Sequence, residues 1–89
     1  MPELRALVVD DEPLARRGVR QLLEPHGDVL VVGEAANGRE AVDQLRRLRP
    51  DLLFIDVQMP ELDGFGVLEC AAEVDVPAVI FLTAYEHFA

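Results

Sequence analysis

The chain has 89 residues, with eight arginines, no lysine and seventeen acidic residues, a formal charge of −9. That length suits one small domain, and an apolar share of 51% is too high for a disordered acidic tail. The acid excess argues against binding nucleic acid or an anionic membrane, since nothing here would neutralise a row of phosphates, and it suits a cation or a basic partner instead.

In chain order, apolar runs alternate with segments of helical period. Leu4–Val9 (LRALVV) is the first run, closed by Asp10-Asp11-Glu12. Pro13 then stands where the first residue of a helix would be, behind side chains able to cap it. Leu14, Ala15, Gly18, Val19, Leu22 and Leu23 follow at helical spacing and predict one apolar face. Pro25-His26-Gly27-Asp28 ends that helix, with His26 expected in solvent. The second run is Val29–Gly33. Asn37-Gly38 predicts a turn and a cap, and Ala41, Val42, Leu45 and Leu48 predict the inner face of a second helix. Arg39, Asp43, Arg46 and Arg47 fall on its outer face, and Pro50 stops it. Arg46, Arg47 and Arg49 read as a solvated end favoured by the helix dipole.

The third run, Leu52–Ile55, leads to Asp56 and a loop rich in turn formers, VQMPELDG. Phe65, Leu68, Ala71 and Ala72 predict a short third helix, on which Cys70 is expected in or near the core. Pro77 opens the fourth run, Ala78–Leu82, closed by Thr83-Ala84, and Tyr85–Ala89 reads as the first turn of another helix. Continuous apolar strands are buried on both faces, the mark of a parallel sheet. The predicted fold class is therefore α/β, a doubly wound parallel sheet built from βαβ units. No apolar run nears the roughly 20 residues of a membrane span. The first five residues lack the pattern of a signal peptide. A single cysteine forms no internal disulfide and fits a reducing cytoplasm.

In open parallel sheets, ligands bind beyond the carboxyl ends of the strands. The first strand ends in Asp10-Asp11-Glu12, the third in Asp56 and the fourth in Thr83. With the first and third strands adjacent, at least three carboxylates converge on one crevice, where they repel and raise one another's pKa. A hard divalent cation resolves that conflict, and oxygen ligands without His or Cys suit Mg2+. A carboxylate beside Mg2+ is a nucleophile for phosphorus, giving an acyl phosphate, and Thr83 is placed to hydrogen-bond a phosphoryl oxygen. Each residue alone has a plainer reading: a turn and cap for Asp10-Asp11-Glu12, a loop bond for Asp56, a helix cap for Thr83. Their coincidence at successive strand ends favours the site.

The segments LRALVVDDEPLARRGVRQLL, DLLFIDVQMPELDGFGVL and PAVIFLTAYEHFA resemble the receiver domain of bacterial two-component response regulators, over nearly the whole chain and in order. The resemblance implies a flavodoxin-like fold. It also implies that Asp56 is the phosphoacceptor, taking its phosphoryl group from a phosphohistidine on a sensor histidine kinase. It makes Asp11, Asp56 and the carbonyl of Gln58 ligands of Mg2+, with Asp10 holding a metal-bound water. Thr83 resembles the switch hydroxyl. Ala84 leaves phosphoryl access open, and Gln58 and Tyr85 resemble the pair that tunes acyl-phosphate lifetime. Met59-Pro60 and Asp63-Gly64 shape the loop beside the site. The wording DDEPLAR and LTAYEHFA is most similar to regulators whose output is a LytTR-type DNA-binding domain, so the implied output is transcriptional, with no direct contact of this domain to DNA.

One departure is plain. Receivers of this kind carry a lysine at the end of a fifth strand, and this chain has no lysine. The resemblance implies that residues 1–89 are an incomplete receiver, lacking the fourth helix, fifth strand and fifth helix. The apolar edge at Ala78–Leu82 is expected to be covered either by a second copy, as a homodimer or through a swapped element, or by the rest of a longer chain. Two other functions stay open. One is a phosphatase or phosphotransferase with an aspartate nucleophile, similar to haloacid-dehalogenase enzymes, although Gln58 stands where those place their acid/base Asp. The other is a receiver-like interaction module that is never phosphorylated.

Overall fold

The computed structural model describes residues 3–82. Four strands form one parallel sheet: β1 (Leu4–Val9), β2 (Val29–Ala35), β3 (Leu52–Asp56) and β4 (Ala78–Leu82), in the order β2-β1-β3-β4. Three helices connect them: α1 (Pro13–Leu23), α2 (Gly38–Leu48) and α3 (Gly64–Cys70). The predicted α/β class and flavodoxin-like arrangement are the observed ones. Strand reversal in this order lies between β1 and β3, and such a switch point opens a crevice at the carboxyl ends.

Strand alternation divides the core. Leu7, Val9, Leu53 and Ile55 point to one face, where they pack with Ala41, Val42 and Leu45 of α2 and Val67 of α3. Ala6 and Val8 point to the other face and are fully buried there, on the strand against which α1 packs. β1 is thus buried on both sides, as its unbroken apolar run predicts. β4 is not: Ile80 and Phe81 are 38% and 40% exposed.

Between Ala6 and Leu7 the pairing with β2 slips, from Ala6–Val31 to Leu7–Gly33. One extra β2 residue makes a bulge, and the strand runs on through Glu34 and Ala35, past the predicted end at Gly33. That extension sets the Asp10 amide against the Ala35 carbonyl at 3.1 Å and places Glu34 beside α1.

The helices correct several expectations. Residues preceding α1 do not cap it through a side chain, although Glu12 holds the cap position and Pro13 the first turn. The Asp10 carboxylate takes the Glu12 amide instead. No residue of α1 is fully buried, and Leu14 and Leu22 are 74% and 75% exposed, because the helix turns Ala15, Arg16, Gly18, Val19 and Leu23 inward. α2 follows its pattern. Asn37 caps it by accepting the Glu40 amide, and it ends at Leu48 with Arg49 in the left-handed region at φ 45°, just before Pro50. Arg46 is not simply solvated, since it pairs with Glu73 at 2.6 Å and donates to the Cys70 carbonyl. In α3 the buried positions are Gly64 and Val67, followed by Ala71, while Phe65 and Ala72 lie outside. Cys70 is exposed, not in the core. His26 is exposed as expected.

Candidate functional site

β1 and β3 are neighbours with Val9 opposite Ile55, so their next residues, Asp10 and Asp56, emerge side by side. Asp11 follows in the same turn. One carboxylate oxygen from each of Asp10, Asp11 and Asp56 lies within 4.8 Å of the others. The three differ in surroundings: Asp10 is buried, Asp56 half-buried and Asp11 exposed.

Local hydrogen bonds fix these groups. The Glu12 amide donates to Asp10 Oδ1 at 2.9 Å, and the Gln58 amide donates to Asp56 Oδ1 at 3.0 Å. Both are short loops folded back on an aspartate, a turn form that Asp favours. On the far side of Asp56, the Gly64 amide donates to the Val57 carbonyl, and Asp63 caps α3 by accepting the Gly66 amide. Gly64 sits so close that a Cβ there would lie 2.7 Å from the Asp56 carbonyl oxygen. Gly38 makes a similar approach to Leu62, drawing the start of α2 against the β3–α3 loop. In that loop Glu61 adopts φ 68°, an uncommon conformation for a side-chain-bearing residue. Replacing Gly64 by Ala must push α3 off the end of β3. We expect a loss of about 1–3 kcal/mol in stability, read by urea unfolding, with amide shifts at Asp56–Gln58. An unchanged midpoint and spectrum would show that the approach is not needed.

Electrostatics single out Asp10. Burial pushes its carboxyl up to about 6; the Glu12 amide opposes that rise, and the Asp56 and Asp11 charges add to it. A buried carboxyl beside two more is a site that repels a third negative charge and attracts a cation. All ligands offered are oxygens, which suits Mg2+ over softer metals. Of the residues predicted for the site, the structure brings together the carboxylates of Asp10, Asp11 and Asp56, and it ties Gln58 to Asp56 through its amide. Thr83, Ala84 and Tyr85 lie outside the described residues, as does the predicted helical turn Tyr85–Ala89.

A family model for the response regulator receiver domain matches residues 6–89. The chain belongs to that family. Among similar receivers, the transcriptional regulatory protein BtsR of Salmonella typhi is 43% identical over 86 residues, covering 97% of this chain and 36% of that protein. A protein-glutamate methylesterase/protein-glutamine glutaminase of Alkalilimnicola ehrlichii is 48% identical over 80 residues, 89% of this chain but only 20% of that enzyme. Among solved structures, the signal receiver domain of the response regulator NarL from Mycobacterium tuberculosis superposes with a TM-score of 0.84 at 35% identity. That match covers 94% of this chain and 68% of the other. The receiver described here spans about a third of the length of curated relatives such as BtsR. Among its described residues, no helix is long and apolar enough to cross a membrane.

The sequence pattern did not reveal Arg16 and Glu34. Arg16 donates from Nη1 to the Asp10 carbonyl at 2.7 Å and from Nε to Glu34 Oε1 at 3.0 Å. They are 18 residues apart, and no helix or strand period links them. The only signal was a charged residue at an inward position of α1.

Proposed function

We propose that this domain is the phosphoacceptor switch of a two-component system. Asp56 takes a phosphoryl group from a phosphohistidine of a sensor histidine kinase in a Mg2+-dependent reaction. The observation that carries the reading is the convergence of Asp10, Asp11 and Asp56 at the carboxyl ends of β1 and β3.

The chemistry follows from the residues. Gln58 occupies Oδ1 of Asp56, and the second oxygen serves as nucleophile. It attacks phosphorus while the bond from phosphorus to the donor nitrogen breaks and its electron pair returns to the histidine. The product is an acyl phosphate on Asp56. Asp11, Asp56 and the carbonyl of Gln58 would hold the metal, with Asp10 placed to accept from a water on it. Mg2+ bound there would supply positive charge that screens the approach of two anions. Thr83 is assigned the switch hydroxyl, Ala84 the open access, and Gln58 with Tyr85 the lifetime of the acyl phosphate; these roles rest on the family resemblance. The domain turns over no other substrate.

In the intact protein the output is a DNA-binding domain acting on transcription in the cytoplasm. The naming of BtsR as a transcriptional regulatory protein supports this, and the wording DDEPLAR points to the LytTR type. Titration of the intact protein with Mg2+, followed by amide NMR, is the direct test. Shifts are expected at Asp10–Glu12 and Asp56–Gln58. Shifts confined to remote acids such as Glu69 and Glu73 would sink the site.

A further inference from the structure

Asp10 is held at three points. Its amide donates to the Ala35 carbonyl at 3.1 Å, its Oδ1 accepts the Glu12 amide at 2.9 Å, and its carbonyl accepts Arg16 Nη1 at 2.7 Å. The first two bonds are local consequences of strand pairing and the turn. The third comes from a side chain on α1, and it acts on a particular peptide group. The Asp10 carbonyl and the Asp11 amide share one planar unit, so orienting that carbonyl also orients the bond from which Asp11 hangs.

Arg16 is itself fixed. Its side chain is only 17% exposed, and Glu34 Oε1 receives its Nε at 3.0 Å. Glu34 is tied in turn: its Oε2 meets Arg20 at 3.0 Å, and its backbone carbonyl accepts Gln44 Nε2 from α2. A planar guanidinium can serve a carboxylate and a carbonyl from one rigid fork, which a single ammonium cannot reproduce. α1, β2 and α2 therefore meet at the peptide that carries two of the three site aspartates.

We propose that Arg16 is a positioning residue of the acidic site, holding the Asp10–Asp11 peptide in the orientation that lets both carboxylates face one cation. This inference rests on the Mg2+ site proposed above. It carries an unusual sign. Simple charge counting says that deleting a cation near three carboxylates tightens Mg2+ binding. A positioning role says that deletion weakens it.

The test is Mg2+ titration of the intact protein by amide NMR, comparing wild type, Arg16→Gln and Arg20→Gln. Arg16→Gln is expected to weaken Mg2+ binding about ten-fold, the usual scale for losing a group that orients a metal ligand. Arg20→Gln removes the same charge from the same Glu34 with no bond to Asp10, and its affinity is expected within about two-fold of wild type. Arg16→Gln that melts cooperatively yet binds Mg2+ as tightly as wild type, or more tightly, overturns the proposal. If Arg16→Gln does not fold, Arg16→Lys decides, with a weakening beyond about three-fold expected and unchanged affinity overturning. Wild type without Mg2+-dependent shifts at Asp10–Glu12 overturns the metal site itself and the role of Arg16 with it.

Discussion

Asp56→Asn abolishes phosphoryl uptake by the intact protein, a fall of at least about 10^3-fold. The substitution keeps the shape of the side chain, and its carbonyl oxygen still accepts the Gln58 amide that Asp56 accepts at 3.0 Å. What it removes is the second anionic oxygen, and an amide nitrogen does not attack phosphorus. Incubation with acetyl phosphate or the cognate kinase, with labelled phosphate, reads the result. Wild type is expected to carry one label, lost in base and hydroxylamine as an acyl phosphate is. Asp11 belongs to the same carboxylate cluster but is exposed, and it is expected to carry no label. Uptake by Asp56→Asn at the wild-type rate, or a label mapped to Asp11, would overturn the nucleophile assignment.

The site was legible for a simple reason. Three aspartates stood at the ends of apolar runs, and the run composition alone made β1 and β3 buried parallel strands. α2 was legible because Ala41, Val42 and Leu45 share one face and all three are buried. α3 was not. It has seven residues, too few for a period to fix its phase, and the phase is set by Gly64 against the Asp56 carbonyl and by the Asp63 cap. Val67 turns inward while Phe65 stays outside, its ring 5.0 Å from that of Phe81. Cys70, read as core from its residue type, comes at the end of that rotated helix and is exposed. In α1 the apolar stripe is wider than the contact with β1 and β2, so Leu14 and Leu22 are left outside. The inner side takes an arginine, which no hydrophobic pattern anticipates, because its stem packs while its head finds Glu34 and a carbonyl.

Asp10 is expected to cost metal-free protein stability as pH rises from about 4 to 6, and Mg2+ to offset that cost most fully above that range. The sign follows from Asp10. Its folded pKa is raised from 3.8 to about 6, so between those values the folded state holds more protons than the unfolded one. The stability that Asp10 contributes is then fully present below the lower value and is lost as pH climbs through the upper one. A shift of that size corresponds to about 3 kcal/mol unscreened, and about 1–2 kcal/mol once solvent screening is allowed for. Asp10→Asn cannot ionise, and its Oδ1 still accepts the Glu12 amide. The variant is therefore expected to be about 1–2 kcal/mol more stable than wild type at pH 7 without Mg2+ and to lose the difference near pH 4. The same proton opposes the metal, since a neutral Asp10 neither adds its charge to the attraction nor accepts a hydrogen bond from water on the ion. Mg2+ affinity of wild type should fall about ten-fold between pH 7 and pH 5, with protons released on binding near pH 6. Urea unfolding across pH, with and without Mg2+, reads the first effect, and calorimetry in buffers of different ionisation enthalpy reads the second. Parallel stability curves for wild type and Asp10→Asn between pH 4 and 7 would show that Asp10 titrates as an ordinary carboxyl. The site would then attract its cation by the proximity of three charges, without the added pull of a buried one.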